Sequence, residues 1–166
     1  MYSDGMALLR KEMTPALLTK MKRAGCYHLS WGLESGCQRV LDLMQKRFST
    51  LELATQVIRW THDAGIQQGI SLITGFPGET AEMFDETVAF VKEYQRYFHS
   101  VAVQPMYVLP NSSVHACPAE FGIDPVGQPD RVTWETLDGS NTYEERMRRV
   151  EKLNAALENK LLTIDR

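Results

Sequence analysis

The sequence predicts an α/β fold built around a parallel β-sheet. Amphipathic helical segments alternate with short apolar runs rich in β-branched residues, and glycines or prolines mark most boundaries between them. Alternation at this spacing is typical of right-handed β–α–β crossovers, which place consecutive strands side by side and parallel. The predicted order is helix, strand, helix, strand, helix, strand over residues 15–107.

Helices are predicted where apolar residues recur at intervals of three and four positions. Proline in the first turn, threonine at a capping position and glycine after the last turn mark their ends. These signals give, in chain order, helices over 15–24 and 51–64, one or two helical turns over 38–44, and a further helix that begins after Thr80.

The first strand is predicted within the segment CYHLSWGLESG, residues 26–36. Leu29, Trp31 and Leu33 alternate with small and polar residues, so the strand has two different faces. In a barrel surrounded by helices, the bulky face packs outward and the polar face points inward. Glu34 ends the polar face, where a carboxylate is solvated, paired with a cation or bound to a donor-rich ligand. All three remain open. Lys46-Arg47 farther on is interpreted as a solvated pair or an anion contact, with solvation favoured.

The second strand, 66–74, ends at Gly75-Phe76-Pro77-Gly78, where two glycines and a proline interrupt the backbone. Thr80 can cap the helix that follows. Such a turn lets backbone amides approach a ligand at the carboxyl end of a strand, where sheets and barrels of this class place their sites. A plain connection between strand and helix explains the same residues, so this stretch alone leaves both interpretations open.

A third strand is predicted over 101–107 and contains Gln104. Three strands do not close a barrel, so the chain is interpreted as the later portion of a larger structure. Further strands from upstream, or a partner, would complete that structure.

Between 109 and 139, prolines and glycines interrupt every regular pattern and predict a loop-rich surface excursion. A final helix is predicted over 142–162, with its apolar residues inward and the ion pairs Glu144/Arg148 and Glu145/Arg149 outside. The predicted organisation is therefore a β/α portion over 1–112, a loop-rich extension over 113–141 and a carboxyl-terminal helix over 142–166.

Composition excludes several classes of protein. With 43% hydrophobic and 23% charged residues, the chain is globular rather than disordered. Neither a run of about 20 apolar residues nor a secretion signal is present, so we expect a cytoplasmic protein that is not bound to a membrane. A net charge of −3 and a pI near 5.8 give no reason to expect nucleic acid as a partner.

The cysteines and histidines give no strong metal pattern. Three widely spaced cysteines argue against a disulfide framework and indicate a reducing compartment. His115 and Cys117 form an H-x-C pair that could be joined by Cys37, but structural metal sites usually show closely spaced ligands at both ends. We therefore predict no metal site.

Four segments together resemble the radical S-adenosylmethionine (radical SAM) superfamily. Members commonly show G-[IV]-E-S-G, a V-L-x-x-M-x-K-like segment, A-G-I and G-[LF]-P-G-E-T in this order. The chain has Gly32-Leu33-Glu34-Ser35-Gly36, then Val40-Leu41-Asp42-Leu43-Met44-Gln45-Lys46, then Ala64-Gly65-Ile66, then Gly75 to Thr80. The resemblance covers about residues 14–110 and is greatest to members that often carry a cobalamin-binding domain upstream. It departs where P-G-T often follows the last strand, because this chain has Pro110-Asn111-Ser112.

The resemblance implies a partial TIM-like (β/α) barrel that binds SAM across the carboxyl ends of its strands. Glu34 matches the position that contacts the ribose or the amino-acid part of SAM, as suits a carboxylate that accepts from hydroxyl or ammonium groups. The complete set of cofactor-binding residues that it implies is Glu34, Ser35, Gly75, Phe76, Pro77, Gly78 and Gln104. It implies no particular small-molecule substrate and no particular catalytic residue.

One family feature is missing from the sequence. The family holds a four-iron four-sulfur (4Fe-4S) cluster on C-x-x-x-C-x-x-C, which leaves one iron open for SAM. Cys26, Cys37 and Cys117 lack that spacing, so we expect a full-length member to hold the cluster upstream of this segment.

Three interpretations follow. The first is the carboxyl-terminal portion of a radical SAM enzyme, inactive alone and missing its amino-terminal half. The second is a non-catalytic binding or assembly module, whose open sheet edge is covered by a partner or by a second copy in a homo-oligomer. A phosphate-binding turn is the weakest, because Gly75 to Thr80 ends in Gly-Glu-Thr instead of Gly-Lys-Ser/Thr and Glu79 would repel a phosphate.

Overall fold

The computed structural model describes residues 3–46, 50–123 and 131–157. Four parallel strands form one sheet, and each strand pairs with the next along the chain. The strands are β1 (Ser3–Ala7), β2 (Cys26–Glu34), β3 (Gln67–Thr74) and β4 (Ser100–Pro105). The predicted α/β class with a parallel sheet is confirmed, and the sheet has one strand more than the sequence indicated.

The helices lie between and after these strands. They are α1 (Pro15–Arg23), α2 (Gln38–Leu43), α3 (Leu51–Asp63), α4 (Ala81–Tyr94), α5 (Ser113–Ala116) and α6 (Tyr143–Ala156), with short 3-10 turns at Gln95–Tyr97 and Pro118–Phe121. Threonines cap four of them, each accepting a hydrogen bond from the amide three residues on: Thr14, Thr50, Thr80 and Thr142. The predicted ends agree to within about two residues, and residues 158–162 of the last predicted helix lie outside the described part.

Strand β1 carried no local signal. Its sequence, SDGMA, has no β-branched residue and includes a glycine, so intrinsic preference does not favour a strand. It is extended because it pairs with β2, from Ser3 beside Cys26 to Ala7 beside Trp31. Tertiary pairing therefore overrides the local preference at this edge of the sheet.

The two faces of β2 are arranged as predicted. Leu29, Trp31 and Leu33 are buried in a core with residues of α1, α3 and α4. Ser30 and Gly32 lie on the opposite face and are only half-buried. On the same face, the side chain of Met6 in β1 is 91% exposed. The face of the sheet predicted to point inward is therefore the more open one in the part of the chain described.

A second core lies beyond the carboxyl ends of the strands. It joins residues of α2 and of the turn after β3 to the loop-rich segment, and its buried members are Cys37, Val40, Phe76, Val108, Val114, Ile123 and Trp134. An isolated bridge between Ile123 and Thr136 closes this segment on itself. Residues 124–130 lie outside the described part. Within the described ranges, no helix is long and apolar enough to cross a membrane.

The predicted ion pairs of α6 differ from those observed. Arg149 does pair with Glu145, Nε to Oε1 at 2.8 Å, but the prediction that this pair lies on the outer face is wrong. The Arg149 side chain is only 6% exposed because its guanidinium also reaches the buried carboxylate of Glu79, at 2.7 Å. Arg148 pairs with Glu145 at 2.8 Å in place of the predicted Glu144. Leu161, predicted to face inward, lies outside the described residues.

Gly75, directly after β3, lies close against Arg146 of α6. Its φ of +75° lies in the left-handed region, and a Cβ built there would overlap Arg146 Cγ and lie 2.8 Å from Arg146 Cδ. Arg146 itself is fully buried, with its guanidinium 3.9 Å from the centre of the Trp134 ring. Burial lowers the pKa of Arg146 to about 10, which still leaves it charged at neutral pH.

We expect Gly75→Ala to lower the free energy of unfolding by about 2–5 kcal/mol. About 1–2 kcal/mol comes from the left-handed backbone and the remainder from overlap with Arg146. The matched control is Gly139→Ala, because Gly139 has φ +67° and open space around its Cα. Urea unfolding of both variants measures the difference, and equal losses would refute the close packing of α6 on Gly75.

Candidate cofactor-binding site

The carboxyl ends of the parallel strands meet at one edge of the sheet. Glu34 is the last residue of β2 and lies beside Leu72 of β3, and Gln104 near the end of β4 lies beside Ile73. Gly75 follows β3 directly. The predicted site residues from three different strands are thus brought to the same edge, as a parallel sheet requires.

Glu34 has an unusual backbone. Its φ is +72°, and the register of β2 against β3 shifts between Gly32 and Glu34. A non-glycine residue held in this region costs about 1–3 kcal/mol, and such residues cluster at ligand sites. Bulges of this kind redirect a side chain at the end of a strand.

The carboxylate of Glu34 is paired with Lys46. Lys46 Nζ donates to Glu34 Oε1 at 3.0 Å, and the two side chains are 35% and 16% exposed. Of the three states that the sequence left open for Glu34, pairing with a cation is the one observed. Of the two interpretations of Lys46, the anion contact is observed and the favoured one, solvation, is wrong. Arg47 lies outside the described residues.

The end of α2 places Lys46 for this contact. Gln45 has φ +55°, its amide donates to Asp42 O at 3.0 Å, and the amide of Lys46 donates to Leu41 O at 2.9 Å. With Gln45 in the left-handed conformation, the end of α2 turns the chain back toward the sheet. The Lys46 ammonium thereby reaches the carboxyl end of β2.

An open cleft of about 500 Å³ lies above Glu34, between β1, β2 and the segments that follow them. This volume is within the range of about 300–1,000 Å³ found for small-molecule sites. Besides Glu34 and Lys46, its lining combines apolar, charged and small residues: Met6, Ala7, Leu8, Arg10, Glu12, Met13 and Gly32. A carboxylate beside cationic and apolar side chains is chemically suited to a polar molecule that carries hydroxyl or ammonium groups.

The turn after β3 is satisfied internally. The Gly75 amide donates to Glu79 Oε2 at 2.6 Å, and the Gly75 carbonyl accepts from Asn141 Nδ2 at 2.9 Å. Phe76 is buried edge-to-face against Phe121, with ring centres 6.1 Å apart. Neither polar backbone group of Gly75 is therefore available to a ligand in this arrangement.

The remaining predicted site residues lie around this edge rather than in the cleft. Pro77 is buried and Gly78 is exposed beside Leu43. Ser35 is buried, where its hydroxyl lies 2.9 Å from Thr87 Oγ1 and accepts from the Cys37 amide at 3.1 Å. Gln104 is exposed on β4. Of the predicted set, Glu34 alone belongs to the cleft lining given above.

Sequence reasoning missed the polar residues that hold the turn. These are Glu79, Asn141, Arg146 and Arg149, and all four are buried. Burial raises the pKa of Glu79, while the Gly75 amide and the Arg149 guanidinium oppose the rise. A signal was present in α6, because Arg146 and Arg149 are spaced three residues apart on the same face as buried Val150 and Leu153.

The cysteines do not fit a 4Fe-4S cluster. Cys26 and Cys37 are buried, Cys117 is exposed, and all three are free thiols. In the described part of the chain, no three His, Cys, Asp or Glu side chains are grouped closely enough to hold a metal ion. No step of chemistry can be assigned to an iron–sulfur cluster bound by these residues.

Comparison with known proteins identifies one superfamily. A family model described as the Radical SAM superfamily matches residues 5–91. A tRNA-2-methylthio-N(6)-dimethylallyladenosine synthase of Moorella thermoacetica is 34% identical over 90 residues, which cover 51% of this chain and 20% of that protein. The anaerobic magnesium-protoporphyrin IX monomethyl ester cyclase of Rubrivivax gelatinosus is 33% identical over 78 residues, covering 47% of this chain and 14% of the cyclase. The chain thus spans about a fifth or less of the length of these two relatives.

Solved structures share the fold. The archaeal Elp3 of Methanocaldococcus infernus superimposes with a TM-score of 0.70 at 14% identity, over 96% of this chain and 34% of Elp3. The radical SAM methyltransferase TsrM of Kitasatospora setae, solved with cobalamin and a [4Fe-4S] cluster, gives 0.64 at 13% identity, over 95% of this chain and 37% of TsrM. With half of its length matched by the family model and its four parallel strands arranged as part of a TIM-like (β/α) barrel, this chain belongs to the radical SAM superfamily.

Proposed function

We propose that this chain is the carboxyl-terminal portion of a radical SAM enzyme and that it forms one side of the SAM-binding site. SAM, cleaved reductively in the complete enzyme, supplies the radical that acts on a substrate. The 4Fe-4S cluster is held by a segment upstream of the one described, and this chain is inactive alone. A cobalamin-binding domain upstream and a cytoplasmic location belong to the same proposal.

The observation that carries this proposal is the backbone of Glu34. A partly exposed ion pair such as Glu34–Lys46 contributes about 0.2–1 kcal/mol, whereas a left-handed glutamate costs about 1–3 kcal/mol. The pair alone does not offset the strain at the position where the carboxylate enters the cleft. A ligand that hydrogen-bonds this carboxylate supplies the missing reason for its geometry.

The residues of the cleft have separate roles in this proposal. The Glu34 carboxylate accepts hydrogen bonds from the ribose hydroxyls or the ammonium group of SAM. Lys46 is paired with that carboxylate in the free chain, so SAM binding must displace or reorient the Lys46 side chain. Met6 and Met13 offer apolar surface beside the polar end of the cleft.

The other predicted residues have supporting roles. The turn from Gly75 to Gly78 forms the neighbouring wall at the end of β3, and Gln104 extends the edge on β4. Ser35 fixes the loop after Glu34 by its contact with Thr87. The substrate stays unassigned, because the two relatives are named for a tRNA nucleoside and for a magnesium-porphyrin ester.

A second candidate function is a non-catalytic assembly module. It is favoured by the exposed apolar residues of the edge strand β1 and of the segment after it, where Met6 is 91% and Leu8 54% exposed. An open parallel edge of this kind pairs readily with another chain. In an assembly module a second copy would cover this edge, whereas in the enzyme the amino-terminal half would cover it.

We expect the isolated chain to bind SAM weakly, with a Kd of about 1 mM or above, and Glu34→Gln to weaken this binding about five- to tenfold. The variant keeps an acceptor oxygen but loses the charge that strengthens its hydrogen bonds, and each 1.4 kcal/mol is tenfold in affinity. Saturation-transfer NMR with SAM measures both proteins. Glu93→Gln, on the exposed face of α4, is the control and should bind as the wild type does.

Lys46→Met adds a second arm to this measurement. Because the variant frees the Glu34 carboxylate and removes a positive charge, SAM should bind about two- to fivefold more tightly. Absence of any SAM signal from the wild type, or equal signals from wild type and Glu34→Gln, would contradict the proposed site.

Anaerobic reconstitution with iron and sulfide should give no cluster on this chain. The three cysteines are too far apart in sequence and differ too much in exposure to share one cubane. Absorption near 400 nm and iron analysis of the desalted protein measure the result. A stoichiometric cubane would overturn the assignment of the cluster to an upstream segment.

Size measurement separates the two candidate functions. As an assembly module, the chain should sediment as a dimer or larger species at about 10 μM in sedimentation velocity. The double variant Met6→Lys/Leu8→Lys should sediment as a monomer, because charges on an edge strand block pairing. A folded wild-type monomer at that concentration would refute the assembly module and leave the enzyme portion standing.

A further inference from the structure

The turn at the end of β3 is closed by the side chain of Glu79. The Gly75 amide donates to Glu79 Oε2 at 2.6 Å, and the Glu79 amide donates to Phe76 O at 2.9 Å. The carboxylate therefore closes the turn on itself, within the segment Gly75 to Glu79. A hydrogen bond from a backbone amide to a charged carboxylate is strong, and here it holds a glycine that has a positive φ.

Glu79 depends on Arg149 for its charge balance. The Glu79 side chain is 1% exposed and the Arg149 side chain 6% exposed, and Arg149 Nη1 donates to Glu79 Oε2 at 2.7 Å and to Glu79 O at 3.2 Å. A buried carboxylate without a cation is strongly disfavoured. Arg149 thus stabilises the ionised form of the acceptor that holds Gly75.

The other polar group of Gly75 is held from the same part of the chain. Its carbonyl accepts from Asn141 Nδ2, and the Asn141 side-chain oxygen accepts from Arg146 Nη1 at 3.1 Å. Arg146 Nη2 donates to the carbonyls of Val132 and Trp134, at 2.7 and 2.9 Å. Both hydrogen-bonding groups of Gly75 are therefore set by α6 and the segment that leads into it.

Arg149 links α6 to the sheet edge, whereas the neighbouring arginine does not. Arg148, one residue earlier, also pairs with Glu145 but lies at the surface and is 65% exposed. Arg148 and Arg149 therefore share Glu145 as a partner. Of the two, only Arg149 also contacts Glu79, which in turn accepts from the Gly75 amide. This difference gives the chain its own matched control.

We propose that Arg149 is a positioning residue for SAM binding: through Glu79 it fixes Gly75, and so α6 sets the wall of the SAM site at the end of β3. The inference rests on the proposed function for its link to SAM. The link from Arg149 to the turn rests on the contacts alone. The helix that follows the loop-rich segment thereby controls a site to which it contributes no contact in the cleft.

Hydrogen exchange on the full chain tests the link to the turn. In Arg149→Met, amides of a peptide covering 75–84 should exchange at least about tenfold faster, because the carboxylate loses its cation and releases Gly75. Peptides from α1 and β2 should change less than about threefold. Arg148→Met should exchange as the wild type does in all of these peptides.

A second variant keeps the test decisive if Arg149→Met does not fold. Glu79→Gln/Arg149→Met removes both charges and retains a side-chain oxygen for the Gly75 amide, so protection of the turn should return to within about threefold of wild type. Arg149→Lys keeps the charge but loses the forked geometry by which the guanidinium contacts both Glu79 and Glu145, and it should rescue only in part. Uniform acceleration throughout the chain, or no change in the turn, would overturn the positioning role.

SAM titration of the same variants distinguishes the two proposals. Arg149→Met should weaken SAM binding about three- to tenfold, the double variant should recover it, and Arg148→Met should leave it unchanged. Loss of turn protection with unchanged SAM affinity would overturn the positioning role and leave the Glu34 site standing. If the wild type gives no SAM signal, the proposed function fails, while the exchange result still decides whether Arg149 sets the turn.

Discussion

The buried contact among Gly75, Glu79 and Arg149 joins the parts of this molecule. Glu79 accepts from the Gly75 amide at the end of β3, lies one residue before the Thr80 cap of α4, and binds the Arg149 guanidinium of α6. Strand, helix and carboxyl-terminal helix are thus tied at one carboxylate. Because a buried charge tolerates the loss of its partner poorly, this contact constrains all three elements together.

The two halves of the site edge follow different physical rules. At β2, a left-handed glutamate faces an open cleft and its charge is met by a partly exposed lysine, so its contacts can be exchanged for those of a ligand. At β3, the polar groups of the turn are already paired within the protein. The first half is suited to binding and the second to holding shape.

The proposed SAM site accounts for this combination. A TIM-like barrel places its ligand at the carboxyl ends of its strands, and the face of the four strands predicted to point inward is the more open one here. The cysteines of the chain do not meet the requirement for a cluster. The chain therefore has the strand ends that face SAM in the proposal, without ligands for the iron that would complete the chemistry.

By itself, the sequence determined the elements whose causes are local. Helical periodicity predicted α1, α3 and α4, with Pro15 marking the start of α1 and threonine caps marking the other two. Alternation predicted the two faces of β2, and the segments around Glu34 and Gly75 indicated the family. Only the tertiary structure decided that SDGMA is a strand, because pairing with β2 supplies what its residues lack. The same holds for Lys46 on Glu34 and for Arg149 on Glu79: a charged residue looks solvated in sequence, and its partner is known only when the fold brings distant segments together.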